Sequence, residues 1–318
     1  MSHAHWPNPF IEQRADPYIY RHFDGYYYFT ASVPEYDRLE IRRSATLGGL
    51  ARAVPAVVWH KHQQGEMSAL IWAPELHFIE NKWYLYFAAA HSPDIVDGLF
   101  QHRMFVLECA DDNPLTGTWT EKGRIRTPLD SFSLDATHFY HQGRHYYVWA
   151  QKDPAIRGNS NLYLAEMATP CTLKTPAMML SKPELPWEIN GFWVNEGPAV
   201  IRHGQRLFIS YSASATDANY CIGLLWADVN DDITDPLAWH KLPQPVFRTH
   251  WQNRQFGPGH NSFTTGENGE DVLVYHARSY TEITGDPLYD PNRHTRLKVF
   301  HWDEEGMPRF GEPPADHA

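Results

Sequence analysis

The sequence predicts an all-β protein built as a five-bladed β-propeller with four antiparallel strands per blade, and three observations carry that reading. Helical periodicity is almost absent from the 318 residues, while short alternating runs rich in Tyr, Phe, Trp, Val and Ile recur between clusters of Gly, Pro, Asn and Asp. A two-strand unit opens on an acid, or at the last position on a histidine, about every sixty residues, at Asp16, Glu75, Asp135, Glu196 and His260. With 42% apolar and 14% aromatic residues the chain is long for one ordinary core, and a ring that grows by adding blades removes that tension.

The first unit reads as strands at 18–22, 26–31, 39–43 and 56–60. Asp16-Pro17 opens it, Asp24-Gly25 makes the hairpin turn, and Tyr26-Tyr27-Tyr28-Phe29 begins the aromatic second strand. The second unit follows at 76–80, 82–89, 104–110 and 117–121, and the third at 137–141, 144–150, 161–167 and 177–181. The fourth and fifth open at 198–203 and 262–265, with second strands at 206–211 and 271–277. No composition break, linker or low-complexity stretch divides the units, so residues 1–318 are expected to form a single propeller domain. The polar, Pro-rich tail after Arg309 is expected to fray.

A formal charge of −11 without a basic stripe excludes nucleic acid as a partner, and pairs such as Arg42-Arg43 read as solvated strand edges. The longest apolar stretches, such as 85–90, are strand-length and fall far short of the roughly 20 residues that cross a bilayer, so no membrane partner is expected. The start, Met1 to Trp6, lacks a basic segment followed by an apolar core. It is read as no secretory signal, and the location as cytoplasmic unless a leader has been removed. Cys109, Cys171 and Cys221 are odd in number and lack Cys-x-x-Cys spacing, which agrees with reduced thiols. The oligomeric state is open.

In a propeller the first strand of each blade lines the central channel, so Asp16, Asp135 and Glu196 converge near one mouth although far apart in sequence. Three carboxylates in aromatic surroundings are costly unless hydrogen-bonded, paired or partly protonated. Two carboxylates flanking a pocket, one ionised and one protonated, are what glycosidic bond cleavage requires, with a gap of roughly 6.5–9.5 Å leaving room for the attacking water of an inverting enzyme. A third can raise the pKa of the acid by like-charge repulsion. The bland readings stand beside these: Asp-Pro is also a plain turn signal, and a lone histidine such as His260 also occurs as a core residue. No His, Asp or Glu spacing demands a catalytic metal.

Arg14-Ala15-Asp16-Pro17, Trp72-Ala73-Pro74-Glu75, Ser133-Leu134-Asp135-Ala136, Asn195-Glu196-Gly197-Pro198 and Gly259-His260-Asn261-Ser262, in this order over nearly the whole chain, together resemble glycoside hydrolase family 43, whose fold is a five-bladed β-propeller. The resemblance implies that Asp16 is the general base, Asp135 the acid that modulates pKa and orients, and Glu196 the general acid. It implies no cofactor for catalysis, and it matches His260 to an axial histidine that in relatives holds a water or a cation such as calcium. Arg296, in His294-Thr295-Arg296-Leu297, resembles the family arginine that contacts the catalytic carboxylates, although its flanks differ from the commonest pattern. Glu75 shares the repeat register without being one of the three family acids, and is expected to shape the pocket.

Most of the twelve Trp are expected in the blades. Trp72, ahead of Glu75, and Phe192 and Trp193, ahead of Glu196, are the expected sugar platforms, with 91–101 and 152–160 as pocket-side loops. The run from Arg14 to Arg43 looks most like compact exo-acting α-L-arabinofuranosidases that trim 1,5-linked arabinan or arabino-oligosaccharides with inversion. β-Xylosidases of the same family are the alternative. Many of them carry a C-terminal β-sandwich, and this chain ends where such a domain would begin. A non-catalytic glycan-binding propeller could lose any of the three carboxylates, and all three are present. Retaining fructosidases share the fold but begin with Trp-x-Asn-Asp-Pro-Asn, for which Asn8-Pro9-Phe10 is a poor substitute.

Overall fold

A computed structural model of the protein describes residues 6–174 and 176–317, so the reading of the chain start at residues 1–5 lies outside the described residues. Five antiparallel sheets follow one another along the chain. The first holds Ala15–Arg21, Tyr27–Ser32, Arg38–Ser44 and Ala56–His60; the second holds Ala69–Ile79, Lys82–Ala90, Arg103–Cys109 and Trp119–Arg124. The third holds Ser133–His141, Arg144–Gln151, Asn161–Thr169 and Met178–Ser181, with the short Thr172–Leu173 also paired to its third strand. The fourth holds Asn195–His203, Arg206–Ala213, Cys221–Asp228 and His240–Lys241, and the fifth Phe256–Thr265, Asp271–Arg278 and His294–Val299. Each opening strand packs against the opening strands of both neighbouring sheets, and Ala15–Arg21 meets Phe256–Thr265. The sheets therefore close into a five-bladed β-propeller with these strands around the axis.

The second strands show why the aromatic runs are continuous. Tyr27 and Phe29 pack into the cluster shared with blade five, while Tyr28 between them packs with Trp83 and Phe87 of blade two. Side chains alternate across a strand, so a strand covered by a blade on each side is apolar at every position.

Four sheets hold at least four strands, and the last holds three among the described residues. The N–H groups of Phe10 and Ile11 donate to the Thr295 carbonyl at 2.8 and 3.2 Å, and the Thr295 N–H donates back to Ile11 at 2.9 Å. Residues from the chain start thus satisfy the outer edge of the last blade and seal the ring. The fraying expected after Arg309 is corrected. Asn8 Nδ2 donates to the carbonyls of Pro314 and Ala315, and Arg296 pairs with Asp316, so both ends of the chain are tied to blade five.

Every opening strand carries the same irregularity. Its pairing with the second strand slips, and at the slip one residue adopts a left-handed backbone: Asp16 (φ 55°), Ala73 (48°), Asp135 (53°), Gly197 (55°) and His260 (41°). These are the equivalent positions of the five blades, which corrects the repeat read from the acids. Glu75 lies two residues beyond its bulge and Glu196 one before. A bulge re-aims a side chain, and holding a non-glycine residue at positive φ costs about 1–3 kcal/mol that the surrounding structure must offset.

At three of the bulges the offset comes from the preceding blade. The bulge N–H of Asp16 donates to His276 Nδ1 at 3.0 Å, that of Ala73 to Ser32 Oγ at 2.7 Å, and that of His260 to Ser212 Oγ at 2.7 Å. Ser32, Ser212 and His276 occupy one register position, each paired with the residue before its own bulge. Blade three has Ala150 there and no polar atom to offer. In its place the Asp135 carboxylate itself accepts from Gly197 N at 3.1 Å.

Candidate active site

Where the bulged opening strands meet, Asp16, Asp135 and Glu196 line one pocket. The two aspartates are bulge residues on blades one and three, and Glu196 precedes the bulge on blade four. His260 connects the aspartates, with Nδ1 3.3 Å from Asp16 Oδ1 and 3.6 Å from Asp135 Oδ2.

Each carboxylate has its own set of partners. Asp16 accepts from the Ser32 hydroxyl at 2.6 Å and lies 3.5 Å from Arg293 Nη1. Arg293 also donates to the Tyr36 hydroxyl at 2.8 Å, and that hydroxyl donates to the Leu288 carbonyl, which fixes the guanidinium between blades one and five. Glu196 accepts from the Tyr220 hydroxyl at 2.9 Å. Asp135 accepts the backbone N–H of Gly197, so the residue beside Glu196 also orients Asp135.

These surroundings push the carboxyls apart in acidity. Burial acts to raise Asp16, but His260, Arg293 and the Ser32 hydroxyl outweigh it and hold Asp16 at about 2. For Glu196 burial prevails; the charge on Asp16 adds to it, and Tyr220 and Arg293 only moderate a carboxyl pushed up to about 7. Asp135 is also driven well above the carboxylate range by burial and by the charges of Glu196 and Asp16. Asp135 and Glu196 therefore titrate as an interacting pair in the presence of an ionised Asp16. Burial lowers His276, consistent with its neutral ring accepting the Asp16 N–H.

Residues 6–308 match the family model described as Glycosyl hydrolases family 43. The chain belongs to this family. Over 310 residues it is 54% identical to a protein of Streptomyces avermitilis named extracellular exo-alpha-(1->5)-L-arabinofuranosidase, covering 97% of this chain and 64% of that protein. Over 315 residues it is 50% identical to alpha-L-arabinofuranosidase 43 of Humicola insolens, covering 98% of this chain and again 64% of the relative. It thus spans just under two thirds of the length of either protein. A crystal structure of an alpha-L-arabinofuranosidase from Lactobacillus brevis matches with a TM-score of 0.97 at 57% identity, over 98% of each chain.

In this family 43 pocket Trp72 and Phe192 stand in the wall. The Trp72 indole stacks on His102, with ring centroids 3.7 Å apart, while Phe192 remains 42% exposed. Three sequence-based site residues, Trp193, Glu75 and Arg296, stand outside the pocket wall. Trp193 is not in the wall, because the Arg157 guanidinium covers its ring at 4.0 Å. Glu75 lies outside the wall, buried and held by His77 Nε2 at 2.8 Å, a consequence of its place two residues past the bulge.

Arg296 is fully buried against Asp316, Asn8 and the Ala277 carbonyl, and Arg293 is the arginine at the carboxylates. Arg293 precedes the strand His294–Val299 and lines the pocket, whereas Arg296 lies within that strand and is buried away from it. Sequence reasoning also missed Tyr220, Tyr36, His276 and Ser32. Only Ser32 and His276 had a signal, as the second-strand residues opposite two of the sequence motifs.

His260 faces the two aspartates, and among the described residues no group of three or more His, Cys, Asp or Glu side chains is arranged to hold a metal ion. Cys109, Cys171 and Cys221 are free thiols. Among the described residues no helix is long and apolar enough to cross a membrane. The Streptomyces relative is named extracellular, so the cytoplasmic expectation gains no support from it.

Proposed function

We propose that this chain acts as a catalytic domain that releases L-arabinose from the non-reducing ends of α-1,5-linked arabinan or arabino-oligosaccharides, with inversion at the anomeric carbon. The observation that carries the reading is the separation of acidities within one pocket, Asp16 held at about 2 and Glu196 raised to about 7. A base ionised and an acid protonated near neutral pH are the two states that direct displacement by water needs. The names of the relatives support arabinofuranoside as the sugar.

In the proposed step Asp16 takes a proton from water as the water oxygen bonds to the anomeric carbon. The bond to the leaving oxygen breaks, and that oxygen takes the proton from Glu196. Asp135 adjusts the acidity of Glu196 and, through Gly197, its position. Arg293 keeps Asp16 ionised. Trp72 and Phe192 supply apolar faces for sugar C–H groups, and the buried indole N–H of Trp72 has no partner among the described residues. Both proton transfers are carried by side chains and call for no cofactor.

Incubation with arabino-oligosaccharides, following the first-formed anomer by NMR, tests this. Release of arabinose with inverted configuration is expected; a retained anomer, or no arabinose, overturns the reading. Faster hydrolysis of an aryl xyloside than of an aryl arabinofuranoside would assign the pocket to β-xylosidase chemistry.

A further inference from the structure

Tyr220 joins the two sides of the pocket. Its hydroxyl donates to Glu196 Oε1 at 2.9 Å, and its ring lies parallel to His276, 5.7 Å between centroids and 8° between planes. His276 is the ring that accepts the Asp16 N–H. The Ser212 hydroxyl, which accepts from His260 N, lies beside the same Gly259 face as the Tyr220 ring, and the phenolic proton is directed to Glu196.

Two glycines of Phe256-Gly257-Pro258-Gly259-His260 make room for this residue. A Cβ on Gly259 would come within 2.3 Å of Tyr220 Cδ1 and Cε1, and one on Gly257 within 2.1 Å of the Asp217 carbonyl in the turn that carries Tyr220. That carbonyl also accepts the Tyr220 N–H. The slot thus fixes both the ring and the turn.

We infer that Tyr220, seated in the slot left by Gly257 and Gly259, is a positioning residue that orients the Glu196 carboxyl and sets the pH at which it loses its proton. This rests on the reading of Glu196 as the acid. The other charged or titratable groups facing Glu196 are Asp16, Asp135 and Arg293, with the His260 ring against the neighbouring Gly197. Of these groups only Tyr220 hydrogen-bonds the Glu196 side chain. Its hydroxyl favours the ionised carboxylate, so its loss raises the midpoint.

The test is an NMR titration of protein carrying carboxyl-labelled glutamate, the Glu196 resonance being identified by its absence in Glu196→Gln. In Tyr220→Phe, which keeps the ring, the Glu196 midpoint is expected to rise by roughly one pH unit while the melting temperature stays near that of the parent. Gly259→Ala, which forces the ring out of the slot, is expected to raise it in the same direction, and the double variant no further than Tyr220→Phe alone. An unchanged midpoint in folded Tyr220→Phe overturns the inference, and that variant decides alone if Gly259→Ala does not fold. The titration needs no substrate, so its result stands apart from failure of the arabinofuranosidase reading. In an active enzyme the alkaline limb of kcat/KM moves with the midpoint, and kcat falls without a matching change in KM.

Discussion

Glu196→Gln removes a charge that the fold holds against its own stability, and the size of that effect follows from the pocket. The carboxyl moves from an ordinary value of 4.5 to about 7 on folding, burial being the main cause. At about 1.4 kcal/mol per pH unit this corresponds to about 3 kcal/mol. Because the folded-state value lies above the unfolded one, the stability associated with this group is fully present below pH 4.5 and lost as pH rises through about 7. Gln has nearly the same shape, still accepts from Tyr220 and cannot ionise.

The variant should therefore match the parent at about pH 4 and exceed it by about 3 kcal/mol at about pH 9. For 318 residues at about 2 cal/mol/K of unfolding entropy per residue, that gain is about 5 °C in Tm. Relief of the repulsion that Glu196 exerts on Asp135 acts in the same direction. Thermal unfolding of both proteins at the two pH values measures the difference. Equal Tm differences at both, or a Gln variant less stable than the parent under alkaline conditions, would refute the account of Glu196 as a buried carboxyl strained by ionisation.

Arg293→Met removes one of the groups that hold Asp16 at about 2 and should raise it by about 1–3 pH units, lifting the acidic limb of kcat/KM accordingly; an unmoved limb would show that Arg293 does not act on Asp16. Asp316→Ala leaves Arg296 buried with its main charged partner gone, and urea unfolding should register a loss of about 3–5 kcal/mol while KM is preserved. A rise in KM in that variant would return Arg296 to the pocket. Gly197→Ala places a Cβ 3.2 Å from the His260 ring at φ 55°, so both Tm and kcat are expected to fall. Parent-like values of both would mean that the bulge tolerates a side chain.

The strand pattern was legible because period-two apolar runs and Gly- or Asn-centred turns are local signals, and most strands lie within a few residues of where those signals put them. The bulge register was not. Acids at Glu75 and Glu196 drew the repeat away from Ala73 and Gly197, although Pro17, Pro74 and Pro198 each follow a bulge residue and mark the true alignment. The missing strand of blade five was illegible for another reason. Its place is satisfied by residues about 285 positions earlier, and no local pattern reports a bond of that kind. Arg293 and Arg296 are three residues apart, and only the tertiary fold distinguishes the one that meets Asp16 from the one that meets Asp316.

The identity and order of Asp16, Asp135, Glu196 and His260, and the blade count that brings them together, were determined by sequence. Which carboxyl is ionised and which keeps its proton was decided by tertiary structure. Asp16 owes its low pKa to His260 and Arg293 from the far end of the chain and to Ser32 on its own blade. Glu196 owes its high one to burial and to the proximity of Asp16, against the hydrogen bond from Tyr220. A proton affinity depends on desolvation and on charges within a few ångströms, and ring closure alone sets those distances.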